Sequence, residues 1–204
     1  MSAPPSLVLF DLDGVLVDYD SAARVTHLAA ALGVEPAAVH AALFDSGLED
    51  RFDAGEIDTD AYLEAIGAPF GRRVDRAVWC DARAAAMRLD PCTPARVATV
   101  AARCDVAVLT NNGGLLVDTL PAMLPSLAAV FGERVFASAR LGARKPAPRV
   151  YLQAVALLGH APGTTLFLDD ARPPMSRARR AGLQSAHVAG PEALAGVLAA
   201  YGFG

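Results

Sequence analysis

Two aspartates one residue apart, Asp11 and Asp13, follow the apolar run Leu7-Val8-Leu9-Phe10 and precede Gly14. The run is too short and too evenly apolar for an amphipathic helix, so it reads as a strand buried on both faces of a parallel sheet. Side chains at i and i+2 share a face, which sends both carboxylates off the strand end in the same direction. Two acids aimed together repel unless a proton or a cation sits between them, and a divalent metal is the natural partner. Taken alone, Asp-x-Asp-Gly also makes an ordinary end to a strand. Its place at the start of an α/β pattern favours function, because open sheets hold ligands at the carboxyl ends of their strands.

Three more strand ends carry polar groups. Thr110-Asn111 closes the stretch Asp105 to Thr110, Lys145 stands before Pro146, and Asp169-Asp170 closes Thr164 to Leu168. Singly these read as a turn, a solvated lysine and a helix cap. Together they are what phosphoryl transfer needs. A phosphate monoester is doubly negative and resists an anionic nucleophile, so a metal and cationic groups must neutralise it while nucleophile and leaving group are held in line. Magnesium takes hard oxygen ligands, which Asp11, Asp13 and Asp170 could supply. Lys145 offers a compact positive charge, Thr110 a hydroxyl donor, and the backbone amides around Asn111 and Leu12 further donors.

The string Phe10-Asp11-Leu12-Asp13-Gly14-Val15-Leu16-Val17-Asp18 resembles the first motif of the haloacid dehalogenase-like (HAD) hydrolase superfamily, and Thr110-Asn111, Lys145 and Asp169-Asp170 resemble the later motifs in the same order. The resemblance implies an aspartate nucleophile at Asp11 that forms an aspartyl-phosphate, and a general acid and base at Asp13. It also implies Mg²⁺ held by Asp11, the backbone carbonyl of Asp13 and Asp170, with Asp169 acting through water. Thr110, Asn111 and Lys145 would bind the phosphate. The dehalogenases that name the superfamily lack an acid at the position of Asp13. Its presence therefore favours a phosphatase, with a phosphomutase as one alternative and a catalytically silent phosphate-binding or scaffold protein as another. The short helical insertion, Phe52 to Asp58 and the run Arg144-Lys145-Pro146 to Tyr151 look like the subgroup of bacterial sugar-phosphate phosphatases and epoxide hydrolase N-terminal phosphatase domains. One departure stands out: Pro174 occupies a position where the family commonly has asparagine.

Positioning these residues calls for alternating strands and helices. Helical stretches are predicted over Thr93 to Arg103, Leu115 to Leu120 (cut by Pro121), Pro146 to Leu158, Pro173 to Ala181 and Pro191 to Tyr201. Strands are predicted at Val135-Phe136 and Ser185 to Val188, besides those already named. The expected class is α/β, a Rossmann-like, doubly wound parallel sheet. Between Asp18 and Arg83 nothing reads as a strand. Helices are predicted over Ala22 to Leu32, Pro36 to Phe44, Thr59 to Ile66 and Val74 to Met87, so residues 18–83 are expected to form a small all-helical cap inserted into a core of residues 1–17 and 84–204. Phe44, Glu49, Arg51 and Phe52 lie between predicted cap helices, where a loop could close over a substrate.

A chain of 204 residues suffices for one sizeable core. The scattered cysteines Cys80, Cys92 and Cys104 suggest neither a disulfide framework nor a zinc site, and His27, His40, His160 and His187 lack metal-ligand spacing. Met1 to Pro5 shows no basic or long apolar leader pattern, so a cytoplasmic location and no membrane partner are expected. A formal charge of -4 argues against a nucleic-acid surface. The partner expected is a small phosphorylated metabolite; a homodimer stays open.

Overall fold

The computed structural model describes residues 4–204. In chain order the elements are β1 (Leu7–Phe10), β2 (Asp18–Tyr19), α1 (Ser21–Leu32), α2 (Pro36–His40), α3 (Leu48–Asp53), α4 (Thr59–Gly67) and α5 (Arg76–Ala85). They continue as β3 (Met87–Arg88), α6 (Thr93–Ala101), β4 (Asp105–Thr110), α7 (Gly114–Met123), α8 (Pro125–Phe131) and β5 (Val135–Ala137). The last are α9 (Pro148–Leu157), β6 (Thr165–Asp169), α10 (Arg172–Arg180), β7 (Gln184–His187) and α11 (Leu194–Ala200).

Because every side chain of β1 is apolar, the strand can lie at the centre of a sheet covered on both faces, and it does. The parallel sheet has the order β5-β4-β1-β6-β7. Alternate residues feed two apolar clusters: Val8, Phe10, Val106, Val108, Leu166 and Leu168 on one face, and Leu7, Leu9, Ala107, Leu109 and Phe167 on the other. The chain winds away from β1 first towards β5 and then towards β7, so the topological switch point falls at β1. Phe10 pairs with Val108 and with Leu168, and this register brings Asp11, Thr110 and Asp169 to the same sheet edge.

The fold is thus α/β and Rossmann-like. Helices α1 to α5 pack as a block between β2 and β3. The Asp20 carboxylate caps α1 by accepting from the amides of Ala22 and Ala23, and Asp58 caps α4 through Ala61. Val25, Leu28, Leu43, Tyr62, Ile66 and Trp79 of this block join the same apolar cluster as Phe10 and Val108, without a break. Helix α3 meets the sheet domain directly. Ser138 Oγ donates to the carbonyl of Asp53 at 2.6 Å, and Arg144 pairs with Asp50 at 2.6 Å.

Gly113 is part of this contact. A Cβ there would stand 2.0 Å from Cε1 of Phe52, whose ring is held by stacking on Tyr62 with centroids 3.8 Å apart. Gly113→Ala should therefore cost about 2 kcal/mol through overpacking, as measured by urea unfolding. A loss below about 0.5 kcal/mol would mean that the ring yields freely.

Several local expectations are corrected. Asp18–Tyr19 is a strand after all, antiparallel to Met87–Arg88, with Asp18 paired to Arg88; two residues are too few to show a period. The supposed loop over Glu49, Arg51 and Phe52 is helix α3, which follows Gly47 in the left-handed region. Pro121 does not cut α7, which runs on to Met123, because the helix loses just one hydrogen bond near its end. Helix α9 starts at Pro148 rather than Pro146, since Ala147 is extended and Pro148 takes the first helical position.

Candidate active site

Asp11 continues β1 by one backbone hydrogen bond to Leu168, and its Oδ1 accepts from the amide of Leu12 at 2.8 Å. The chain then turns through Gly14, which has φ +77° and lies so close to Asp170 that a Cβ would stand 2.4 Å from its Oδ2. Only glycine suits both demands. Lys145, buried like Asp11, places Nζ 2.7 Å from Asp11 Oδ2 and 2.8 Å from Asp169 Oδ2. Asp169 Oδ1 in turn accepts from the amide of Ala171. Asn111 fixes the lysine's backbone, donating to its carbonyl at 2.9 Å and accepting from its amide at 2.7 Å.

Burial pushes the Asp11 carboxyl up to about 7 against the pull of Lys145, with Asp169 adding to the rise. Burial by itself would lower Lys145, but the carboxylates of Asp11 and Asp169 outweigh it and raise the ammonium above its ordinary value. Burial and the nearby Asp169 also raise Asp170. Crowded acids of this kind are what a divalent cation relieves. Carboxylate oxygens of Asp11, Asp169 and Asp170 lie within 4.8 Å of one another, and this all-oxygen set fits a hard metal ion such as magnesium.

Asp13 has other company. Its Oδ2 is 2.5 Å from Arg83 Nη2 and accepts from Asn112 Nδ2 at 3.3 Å, while Oδ1 is buried without a hydrogen-bond partner. Its carboxylate is thus paired with Arg83 and Asn112 rather than with Lys145, while its charge still acts on Asp11 and Asp170. The same Asn112 amide donates to Thr110 Oγ1 at 2.8 Å.

The structure thus brings Asp11, Lys145, Asp169 and Asp170 together, sets Asp13 and Thr110 beside them through Asn112, and commits the side chain of Asn111 to the lysine's backbone. Sequence reasoning missed Asn112 and Arg83. The first was within reach, because Thr110 and Asn112 are spaced i and i+2 and so share a side in extended chain. For Arg83 the signal was its spacing of four from the buried Trp79, which puts it on the inner face of α5.

Beyond Asp13 a cavity of about 360 Å³ runs under the helical block, lined by Arg24, Glu49, Asp53, Arg83, Asn112 and Arg144 among others. Arg24 makes a forked pair with Glu49, at 2.6 and 3.3 Å, and both bond the hydroxyl of Tyr62. Despite its burial, Glu49 is held below the usual carboxylate range by Arg24 and by the Tyr62 hydroxyl. Burial, with Glu49 nearby, pushes Asp53 up to about 8 in spite of Arg144. Phe44 and Glu49 line this cavity, whereas Phe52 is core and Arg51 faces solvent near Glu56.

The sequence model of the haloacid dehalogenase-like hydrolases matches residues 5–182. The chain belongs to that family. No curated protein sequence matches it. Among solved structures, a predicted HAD-like family hydrolase from Porphyromonas gingivalis is 23% identical, with a TM-score of 0.77 over 91% of each chain. A HAD-family enzyme from Bacteroides thetaiotaomicron, crystallised with magnesium and inorganic phosphate, is 16% identical with a TM-score of 0.77, over 90% of this chain and 93% of that one. An L-2-haloacid dehalogenase is 24% identical with a TM-score of 0.61, over 93% of this chain and 87% of that one. These HAD structures share the fold. Among the described residues no single helix is long and apolar enough to cross a membrane.

Proposed function

We propose that the protein is a magnesium-dependent phosphatase for a small phosphorylated metabolite, a sugar phosphate or similar, with Asp11 as nucleophile and Asp13 as general acid and base. The observation that carries this reading is the unequal setting of the two aspartates. Asp11 is buried against Lys145 and the acid cluster, while Asp13 pairs with Arg83 and Asn112 and lines the cavity. Two carboxylates in two environments support two roles. An acid at position 13 also supports phosphatase over dehalogenase chemistry, and the Bacteroides relative with magnesium and phosphate adds support.

In the first step a carboxylate oxygen of Asp11 bonds to phosphorus, and the bond to the leaving oxygen breaks with its electron pair. That oxygen takes a proton from Asp13 and departs as an alcohol. Asp13 then takes a proton from water, the water oxygen bonds to phosphorus, and the Asp11–phosphorus bond breaks to release phosphate and the free carboxylate. Lys145 neutralises charge on the phosphoryl oxygens, and Thr110 donates to them. Asp11, Asp170 and the backbone carbonyl of Asp13 would hold Mg²⁺, with Asp169 behind them; when bound, the ion supplies positive charge to the phosphoryl group. The helical block covers the leaving group and keeps bulk water out. The cavity, about 360 Å³ and lined by paired charges, suits a small polar leaving group.

Turnover of an aryl phosphate should require Mg²⁺, release inorganic phosphate, vanish on chelation and return when the metal is restored. Calcium should inhibit, because its looser coordination disturbs the in-line geometry. Full activity in thorough chelator would remove the metal from the proposal. Halide release from a 2-haloacid without phosphate release would replace the reaction altogether.

A further inference from the structure

We infer that Arg83 is a positioning residue for the Asp13 carboxylate, so that the inserted helical block takes part in the chemistry as well as covering the substrate. The inference rests on the acid and base role proposed for Asp13, and it starts from an otherwise costly arrangement. Arg83 is 2% exposed, and a buried guanidinium is retained only where partners repay its lost hydration. Its Nη2 lies 2.5 Å from Asp13 Oδ2 across 70 residues of chain. The guanidinium also lies over the ring of Tyr19, 4.1 Å from the centroid. The pairing of β2 with β3 sets Tyr19 opposite Met87, four residues beyond Arg83, and so fixes the ring close to the last turn of α5.

The consequence is directional. An isolated aspartate carboxylate has two equivalent oxygens and turns readily about its terminal bond. Here Arg83 and Asn112 both address Oδ2, and Oδ1 is left with no hydrogen-bond partner. Gripped at Oδ2 from two sides, the Asp13 carboxylate is held in one orientation towards the leaving group and later towards water. A planar guanidinium stacked on a ring holds a direction that a flexible ammonium would not. Proton transfer is sensitive to such placement, since it requires the carboxyl oxygen within hydrogen-bond reach of the leaving oxygen.

The test uses the full chain with Mg²⁺ and compares Arg83→Met, Arg83→Lys and Tyr19→Leu with the wild type. The first readout is structural: in the crystal, the Asp13 carboxylate of Arg83→Met should turn away from its wild-type position or split between two. The second is a leaving-group comparison, between turnover of an alkyl phosphate, whose leaving oxygen needs a proton, and first-turnover nitrophenolate release from nitrophenyl phosphate, which does not. Arg83→Met should lose about thirtyfold more on the alkyl ester than on the nitrophenyl ester. Tyr19→Leu, which keeps the ion pair but frees the guanidinium, should show the same split at about fivefold, and Arg83→Lys should recover only part of the loss. An unmoved Asp13 in Arg83→Met, equal losses on both esters, or a faster variant overturns the inference, the last by making Arg83 a restraint on the acid. If the wild type hydrolyses no phosphate ester, the proposed function fails on its own, and the crystal comparison still decides whether Arg83 places Asp13.

Discussion

Replacing Asp11 with asparagine should lower turnover by about 10⁴-fold or more, with no phosphoenzyme from any substrate, because on the proposed assignment the attacking oxygen is gone while the pocket around it is preserved. Replacing Asp13 in the same way should look different. Asparagine can neither protonate a leaving oxygen nor activate water, yet its backbone carbonyl is unchanged. With an alkyl phosphate the first step should slow by about 10²- to 10⁴-fold. With nitrophenyl phosphate, whose leaving group departs as an anion, attack should survive and hydrolysis of the aspartyl-phosphate should stall. Rapid mixing should then show a burst of nitrophenolate approaching about one equivalent per enzyme, and mass spectrometry an acid-labile phosphate on Asp11. A burst from Asp11→Asn and none from Asp13→Asn would exchange the two roles.

The second large effect is expected at Lys145. Its ammonium is set between Asp11 and Asp169, both buried. Lys145→Met leaves those carboxylates facing each other in a poorly hydrated site. Turnover should fall by about 10³-fold, and the metal-free variant should lose about 3–5 kcal/mol in urea unfolding. Magnesium should restore part of that stability, because an added cation among the acids replaces some of the missing charge. Lys145→Arg should not rescue activity, since a planar fork cannot occupy the place of a compact ammonium. Activity within about tenfold of wild type in Lys145→Met would show that the lysine does not serve the phosphoryl group.

The parts of this site that the sequence displayed are those governed by local rules. Asp11 announces itself because a short apolar strand fixes where it goes, whereas the spacing of two did not carry the Asp13 carboxylate into the same cluster, since it pairs with Arg83. Thr110, Lys145 and Asp169-Asp170 are legible because each ends or follows an element whose pattern is plain, and the parallel sheet follows from their alternation. What stayed hidden depends on contacts between distant segments. Nothing near residue 13 points to Arg83 as the partner of Asp13, and nothing near Asn111 shows that its amide is spent on the backbone of Lys145 rather than on a ligand. The strands Asp18–Tyr19 and Met87–Arg88 exist only because they meet, so neither leaves a period in its own sequence. Helix α3 was masked in a similar way: six residues, three of them acidic, carry too little pattern to tell a docked helix from a loop.

The apolar cluster that runs unbroken from the sheet into the helical block has a bearing on how substrate preference can change. Tyr62 is at once a core ring, stacked on Phe52, and the hydroxyl that braces Arg24 and Glu49 at the cavity wall. A substitution there would retune the pocket and loosen the fold together, so the inner wall is closed to gradual variation. Asp50 and Arg144 line the same cavity, lie nearer solvent and belong to neither apolar cluster. New specificities in this lineage should therefore accumulate along that outer rim, where a change of side chain alters what the cavity accepts and costs the fold less than a change at Tyr62.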